Sequence, residues 1–584
     1  MLVGQGYQGA AAKKRAKQYW QKNLATWKDA PQPMLADVDL DVDLEPEAGA
    51  FRMKGTYTLV NRHDVPLKRF ALSGGDAWTD VRWTLEGKDS TPEDRVGLYV
   101  FTPSAPLAPG ASLKVGFQYQ GHVPDGVSRA GGELKEFILP SGVVLTSEEP
   151  TFAPVVGYQE ERGVDRKENH YEPRVYPDDF YEGPTEAAWG SGLPFPFRIR
   201  LSGPEAYTLN SVGVRESDTV KDGRRTTVWK SDHPVSFFNV IAGKWTRVDG
   251  AGTTVFHHPA HGYNVKEMSR GLEAARRYYS EWFHPFPWKE LKLSEFAGLA
   301  NYAQGFPTDI TFSESIGFLT RTTPESNAVL LVTAHEAAHQ WWGNLLIPGK
   351  GPGGNVLSEG LSHYSALKLI EQLDGPEARA QNAKRMEERY AKDRRVDGEQ
   401  PLVKLDGSRE GDTVVLYEKG GWTFLMLEEL MGRPAMHAGL HAFLQRYMNN
   451  EDHPVLQDFL AVMRPFAPDA AAFDAFTRQA FFEVVVPEYR VTETTVTKEG
   501  AQWVTTATVT NVGTGRMPVD VAVVKGERAA KDFHEARVRL EPVAGVSARV
   551  TVRSDFAPER LVVDPDVRVL QLRREQALAP LTVP

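Results

Sequence analysis

The sequence predicts a multidomain α+β protein in which a mainly helical segment lies between two β-rich segments. Apolar and polar residues alternate with period two from Leu35 onward, which is typical of half-buried strands. Helical patterns dominate from about residue 265 to 482, and short strand patterns return after Val484. At 584 residues the chain is also too long for one domain of ordinary size.

Residues 1–29 form a basic segment whose aromatic side chains are spaced for one face of a helix. A basic amphipathic helix can lie on an anionic membrane, or it can dock its aromatic residues on the body of the protein. We favour the docked lead-in helix, because it requires no further partner.

The first predicted domain spans residues 30–245 and consists mainly of antiparallel strands. Val38, Leu40, Val42 and Leu44 alternate with acidic residues, and a turn and a second alternating run follow, which is typical of a hairpin with one buried face. Residues 148–190 show no periodicity. A connection of that length is usually functional or disordered, so it is a candidate lining for a cleft.

The central segment contains a metal-binding pattern. His335 and His339 are four residues apart, so on a helix both imidazoles project from one face, and Glu336 borders that face. In this H-E-x-x-H arrangement, two histidines hold zinc and the glutamate acts as a base. The alternative interpretation is a pair of histidines whose hydrogen bonds are satisfied inside a helix core.

Helix signals bound this pattern. Pro324 suits the first turn of a helix after Thr323 as N-cap, and the run from Ala328 to Leu346 contains no glycine or proline until Gly343. The sequence therefore predicts a long helix around the two histidines.

A catalytic zinc ion needs a third protein ligand and one open position. After a glycine-rich loop, a second helical pattern runs from Ser358 to Asp374, and Gly375 and Pro376 end it before a further charged helix. Glu359 in its first turn is the natural third ligand. The sequence thus predicts one zinc ion as the cofactor.

These segments resemble the gluzincin aminopeptidases, the aminopeptidase-N-like zinc peptidases, and most closely the peptidase module fused to bacterial ABC-transporter permeases. The residues that carry the resemblance are His335–Asn344 (H-E-A-A-H-Q-W-W-G-N), Ser358-Glu359-Gly360 and Tyr417-Glu418-Lys419-Gly420. Nineteen residues separate His339 from Glu359, one more than the family usually has.

The resemblance implies an N-terminal β saddle, a thermolysin-like catalytic domain over residues 246–483 and a β-sandwich over residues 484–584. It implies that Glu336 takes a proton from a metal-activated water and passes it to the leaving amine. It also implies that Tyr417 donates a hydrogen bond to the oxyanion of the tetrahedral intermediate, since stabilising developing charge is usually the largest catalytic contribution.

The resemblance further places the family's substrate-binding strand at Gln304, Gly305 and Phe306, with Phe306 where the family has the glutamate that holds the substrate's α-amine. A phenylalanine cannot pair with an ammonium group, so Gln304, Asp309 and Glu314 are candidates to replace that glutamate. The sequence predicts a zinc metallopeptidase acting on peptides, aminopeptidase-like, and leaves endopeptidase specificity open.

His257, His258 and His261 also cluster in the sequence. No carboxylate or cysteine accompanies them at ligand spacing along the chain, so the sequence favours a strand end and a turn over a second metal site.

The remaining expectations concern partners and location. The net charge of −10 argues against nucleic acid as a partner, and the chain contains no cysteine. No apolar run is long enough to span a membrane, and the first residues lack a signal-peptide core. We expect a cytoplasmic chain or a module associated with a transporter permease at a membrane. A zinc-binding but non-catalytic module of a transporter is the alternative function.

Overall fold

The described part of the chain has the predicted multidomain α+β architecture, with sheets at both ends and helices between them. The computed structural model describes residues 10–123, 134–160, 162, 173–177, 180, 183, 185–190, 192–322, 327–448, 450–528, 530–541 and 545–583. Within these ranges, no helix combines the length and apolar character that crossing a membrane requires.

Among its described residues, the N-terminal part has three sheets. Their strands are β1 Met34–Glu45, β2 Ala50–Val60, β3 Phe70–Ser73, β4 Thr79–Leu85, β5 Lys88–Ser90, β6 Glu93–Asp94, β7 Leu98–Phe101, β8 Ser112–His122, β9 Phe137–Leu139, β10 Gly142–Thr146, β11 Val155–Val156, β12 Phe197–Pro204, β13 Thr208–Ser211, β14 Val214–Lys221, β15 Arg224–Lys230 and β16 Asn239–Gly243. The largest sheet has the order β14-β15-β12-β1-β2-β8-β4-β5, and the others have the orders β13-β16-β10-β9 and β11-β3-β7-β6.

Strands β1 and β2 form the predicted hairpin. Val38 pairs with Tyr57 and Val42 with Met53, and the apolar residues of β1 are buried while its acidic residues face outward. Gly49 closes the turn with φ of 65°, a left-handed conformation that glycine adopts without steric cost. The period-two pattern therefore fixed both the pairing and the buried face.

Helix α1 (Ala10–Trp27) docks on this domain. Tyr19 and Trp27 are buried, and the Tyr19 hydroxyl lies 2.8 Å from the Ser73 hydroxyl oxygen. The observed packing matches the favoured interpretation of the lead-in segment.

The central part combines one sheet with most of the helices. Its strands are β17 Thr246–Asp249, β18 Thr253–His257, β19 Leu291–Phe296, β20 Ala303–Phe306 and β21 Asp309–Ser313, in the order β17-β18-β19-β21-β20. Its helices are α2 Val265–Trp282, α3 Ala328–Ala338, α4 Leu361–Asp393, α5 Asp412–Val414, α6 Gly420–Met431, α7 Arg433–Tyr447, α8 Leu456–Met463 and α9 Ala470–Phe482. Strand β20 is at the edge of the sheet and packs against α3.

Helix α3 is shorter than the sequence predicts, because it ends at Ala338 instead of Leu346. Beyond it the chain continues in a wider coil, in which the Asn344 N–H donates to the carbonyl of His339 at 3.0 Å. Gly343 has φ of 144°, which ends regular helix geometry. Helix α3 begins after Asn327, whose side chain caps its first turn. The predicted start at Thr323 and Pro324 lies outside the described residues.

Helix α4 follows a π-helical turn, Val356–Gly360, and bends where the sequence predicts a stop. Gly375 has φ of 90°, and Pro376 begins the second half, so the two predicted helices are joined end to end.

The described residues of the C-terminal part form a pair of sheets, built from β22 Tyr489–Glu499, β23 Gln502–Asn511, β24 Val519–Lys525, β25 His534–Leu540, β26 Ser547–Ser554, β27 Arg560–Val563 and β28 Leu578–Pro580. The two sheets have the orders β22-β23-β26 and β25-β24-β27-β28. Buried Arg379 of α4 donates to the carbonyl of Val567 at 2.6 Å, and Glu387 accepts two hydrogen bonds from Arg574 at 2.6 Å. These contacts fasten the sheets to the helical part.

The irregular segment that ends near residue 190 runs along the central part. Tyr176 donates to Asp406 at 2.9 Å, and the indole N–H of Trp189 donates to the carbonyl of Gly343 at 3.2 Å. Its described residues therefore pack next to the coil that follows α3.

Candidate active site

Three potential metal ligands converge at one point. The Nε2 atom of His335 lies 3.1 Å from Nε2 of His339 and 3.1 Å from Oε2 of Glu359, and the His339–Glu359 distance is 3.4 Å. His335 is 6% exposed, and Glu359 is partly buried. Two imidazoles and one carboxylate directed at a common point form the donor set of a catalytic zinc site, so these side chains fit one zinc ion.

Local structure explains why the three side chains meet. His335 belongs to the last turns of α3, His339 caps that helix, and Glu359 lies in the turn before α4. A Cβ atom on Gly420 would lie 3.3 Å from the Cα of Gly360. Two glycines therefore let the segment that carries Glu359 approach the segment that carries Tyr417.

Among the residues that the structure describes, the Nδ1 atom of His339 has three hydrogen-bond partners, which fix the orientation of the ring. Its Nδ1 lies 3.0 Å from the carbonyl oxygen of Trp342 and 3.2 Å from the hydroxyl oxygens of Ser358 and Ser362. Such outer hydrogen bonds fix the ring orientation of a metal ligand. His339 is thus oriented with Nε2 toward the other two donors.

Glu336 lies in the same pocket, on the side of strand β20. It is 6% exposed, and the backbone N–H of Gly305 faces its carboxylate. Burial raises the pKa of Glu336, whereas His335 and His339 act in the opposite direction. A carboxylate with a raised pKa beside the metal donors is suited to accept and return a proton.

Tyr417 also lies beside the three donors. Its ring stacks on that of His335 at 5.8 Å between centroids, and its hydroxyl contacts the carboxylate of Glu359. Burial raises the pKa of Tyr417 well above the usual value of about 10, so the hydroxyl keeps its proton and can donate a hydrogen bond.

Two further residues of the H-E-A-A-H-Q-W-W-G-N segment fasten strand β20 to the metal-binding helix. Gln340 donates to the carbonyl of Phe306 at 2.8 Å, and its side-chain oxygen accepts from the N–H of Thr308 at 2.8 Å. Asn344 donates to the carbonyl of Gly305 at 3.0 Å. The sequence alone does not predict these roles, since the partners lie more than 30 residues away.

The predicted substrate-binding residues do not form one surface. Gly305 borders Glu336, and the partly buried side chain of Gln304 lies on the same strand. Phe306 is fully buried among apolar side chains of the N-terminal domain, 5.2 Å from the ring of Phe237. A ring in that position cannot contact a substrate, so the structure does not support a substrate-binding role for the Phe306 side chain.

Asp309 and Glu314, the two carboxylates considered as replacements for the missing glutamate, have other hydrogen-bond partners. Asp309 is fully buried and accepts hydrogen bonds from Asn239 and Ser294, each at 2.9 Å. Glu314 accepts from the N–H of Gly298 at 2.8 Å, at the far end of β21.

A carboxylate that the sequence analysis did not single out lies beside Gln304 instead. Glu148 is exposed, and its Oε2 accepts a hydrogen bond from the Gln304 side chain at 3.0 Å. It belongs to the start of the irregular segment proposed to line a cleft. No local pattern marks it, because only the fold brings residues 156 positions apart together.

The second histidine cluster has carboxylate neighbours after all. Glu295 contacts Nδ1 of His261, and Glu314 lies 3.8 Å from the same nitrogen. These carboxylates are far from the histidines along the chain, and the fold brings them close, because β19 supplies Glu295 and the turn after β21 supplies Glu314. Glu295 also accepts a hydrogen bond from the backbone N–H of His258, so the polar groups of this cluster are paired with one another.

A mainly helical domain with two histidines and a glutamate around one point, a buried glutamate and a tyrosine beside them, defines the class of zinc metallopeptidases. Residues 275–467 match the Peptidase family M1 domain. The predicted metal ligands lie within this match to the M1 family, the gluzincin aminopeptidases that the motifs resemble, and M1 zinc metallopeptidases use one catalytic zinc ion.

Similar proteins agree with this assignment. The chain is 27% identical to aminopeptidase N of Lactobacillus helveticus over 253 residues, which cover 40% of this chain and 29% of that protein. The match thus spans less than a third of the relative's length.

Solved structures share the fold. An M1 zinc metallopeptidase from Deinococcus radiodurans, solved as a mutant bound to a Tyr-Ser-Ala substrate, is 18% identical and covers 77% of this chain and 94% of that chain, with a TM-score of 0.57. Another structure of an M1 zinc metallopeptidase from the same organism is 17% identical, covers 78% and 95%, and has a TM-score of 0.56. Association with a transporter permease stays a prediction.

Proposed function

We propose that this chain is a zinc metallopeptidase that hydrolyses peptide bonds, with a preference for substrates that carry a free N-terminus. The observation that carries the proposal is the convergence of His335, His339 and Glu359 at separations of 3.1 to 3.4 Å, with Glu336 and Tyr417 beside them.

The side chains divide the chemistry between them. Zinc, when bound by the three ligands, polarises the scissile carbonyl and activates the attacking water. Glu336 accepts the proton of that water and returns it to the leaving amine, and the Gly305 N–H faces its carboxylate. Tyr417 donates its hydroxyl hydrogen to the oxygen that becomes negatively charged.

The preference for a free N-terminus rests on Glu148. Its exposed carboxylate is bonded to Gln304, and the next residue, Gly305, contacts Glu336. Hydrogen bonds between a carboxylate and an ammonium group are about twice as strong as those between neutral groups. Glu148 therefore takes the place of the glutamate that the family has on strand β20.

The first test is cleavage of a mixed peptide library by the zinc-loaded protein, with an N-acetylated copy in parallel and mass-spectrometric readout. We expect removal of single N-terminal residues from the free peptides alone, loss of cleavage after chelation, and its return with zinc. Internal cuts in both libraries would instead support an endopeptidase. No cut in either library would support the non-catalytic transporter module.

The second test replaces Glu148 with glutamine. We expect kcat/KM for free peptides to fall by about 10- to 100-fold, since hydrogen bonds to charged groups contribute about 1.5–3 kcal/mol. Glu216→Gln is the matched control, because Glu216 is exposed on strand β14 of the N-terminal domain. Equal losses in both variants would remove Glu148 from the site.

A further inference from the structure

Behind the metal site, His335 has a second histidine as its neighbour. The Nδ1 atoms of His335 and His363 lie 2.8 Å apart, and their ring planes are at 85° to each other. His363 lies on α4, one turn after Glu359, and is 8% exposed. A Cβ atom on Gly421 would lie 2.8 Å from the Cβ of His363. Helix α6 therefore packs closely against His363 and restricts its position.

The contact determines which nitrogen carries hydrogen in each ring. The Nε2 of His335 faces His339 and Glu359, so it is the nitrogen available to a metal ion. A neutral imidazole that binds a metal through Nε2 carries its hydrogen on Nδ1. That hydrogen points at Nδ1 of His363, which must therefore present its lone pair and carry its own hydrogen on Nε2.

A buried carboxylate faces that second hydrogen. Oε2 of Glu418 lies 3.7 Å from Nε2 of His363, and the Glu418 side chain is fully buried. Its other oxygen lies 2.9 Å from the guanidinium Nε of Arg389. Within the described residues, neither carboxylate oxygen accepts a hydrogen bond of good geometry. Since buried acceptors are seldom left unpaired, the carboxylate is positioned to attract the Nε2 hydrogen of His363.

The two ligand histidines are held in different ways. The outer nitrogen of His339 meets the carbonyl of Trp342 and two serine hydroxyls, whereas that of His335 meets His363 alone among the hydrogen-bond partners of the described residues. Removal of His363 thus leaves the Nδ1–H of His335 without an acceptor, in a buried place.

We propose that His363 is a positioning residue that fixes the ring orientation and tautomer of His335 for zinc, by accepting the Nδ1 hydrogen of His335 while Glu418 faces its own Nε2 hydrogen. The inference rests on the zinc site proposed above and deepens it. Loss of such an outer hydrogen bond costs about 10- to 100-fold in metal affinity.

The test compares two substitutions at one position. His363→Leu removes the acceptor, whereas His363→Asn places its side-chain oxygen close to where Nδ1 stood and retains it. The readout is the zinc dissociation constant, measured by competition with a chromophoric chelator. We expect the leucine variant to bind zinc about 10- to 100-fold more weakly and the asparagine variant to recover most of this loss.

A control and a second measurement separate this role from packing. His453→Leu removes another buried histidine, one that bonds the carbonyl of Ile347 and touches no predicted ligand, and is expected to keep the wild-type zinc affinity. The thermal unfolding temperature of each metal-free variant reports folding separately from affinity.

The zinc affinities of the two variants and of the wild-type chain test different parts of the proposal. Wild-type affinity in the leucine variant would overturn the positioning role, and equal weakening in both variants would reduce His363 to a packing residue. If the wild-type chain itself fails to bind one zinc ion, the proposed function fails together with this inference.

Discussion

Gly305 lies directly against the backbone of Glu336. A Cβ atom on Gly305 would lie 2.7 Å from the carbonyl oxygen of Glu336 and 3.0 Å from the Cβ of His339. Both distances are below ordinary van der Waals contact, so strand β20 can stay beside the metal-binding helix only with glycine at this position.

We therefore expect Gly305→Ala to separate the strand from the helix and to lower kcat/KM by about 5- to 150-fold, since overpacking of this kind costs about 1–3 kcal/mol. Peptide hydrolysis and the thermal unfolding temperature measure the effect. Gly262→Ala is the control, because a Cβ there meets open space. An alanine variant at 305 with wild-type activity would show that the close contact has no functional consequence.

Replacement of Glu336 by glutamine should retain zinc and abolish most activity. The substitution keeps the shape of the side chain but removes its ability to accept a proton, so we expect kcat to fall by about 10² to 10⁴-fold. Metal content by atomic emission and steady-state kinetics test the two halves of this prediction. A variant that loses its zinc would instead make Glu336 part of the metal-binding shell.

Tyr417→Phe should lower kcat more than it changes KM. Removal of one oxyanion donor usually costs about 10²- to 10³-fold in kcat, because the hydrogen bond strengthens only as negative charge develops. Steady-state kinetics with one good substrate separate the two constants. A change confined to KM would assign Tyr417 to substrate binding.

The stability of the fold should depend on pH through Asp309. Burial raises the pKa of this carboxyl from 3.8 to about 6, while Lys292 and hydrogen bonds from Asn239 and Ser294 act against the shift. Folding therefore takes up a proton between these two pH values. The stabilising contribution is fully present below about pH 4 and is lost as the pH rises through about 6.

Asp309→Asn has no such proton to exchange. We expect the unfolding temperature of this variant to decline less than that of the wild type between pH 4 and pH 7. Thermal unfolding at several pH values measures the slope, and identical slopes in both proteins would exclude Asp309 as the titrating group.

Local patterns were sufficient for much of the fold. Alternation of polar and apolar residues predicted the β1–β2 hairpin and its buried face, and Gly375 with Pro376 predicted a helix end at the position where α4 bends. The end of α3 was misjudged, because a coil with wider hydrogen bonds also contains no helix breaker before Gly343. Composition does not distinguish these two kinds of helical turn.

The sequence by itself predicted the three metal donors and the residues beside them, because the spacing of His335, Glu336 and His339 follows from helix geometry, and Glu359 precedes the next helix. Only the tertiary structure decided how Glu148, His363 and strand β20 contribute. Glu148 and Gln304 are 156 residues apart, and a hydrogen bond over that distance depends on how separate sheets pack. His363 and His335 belong to different helices, so their contact follows from the packing of α3, α4 and α6, which no local periodicity encodes.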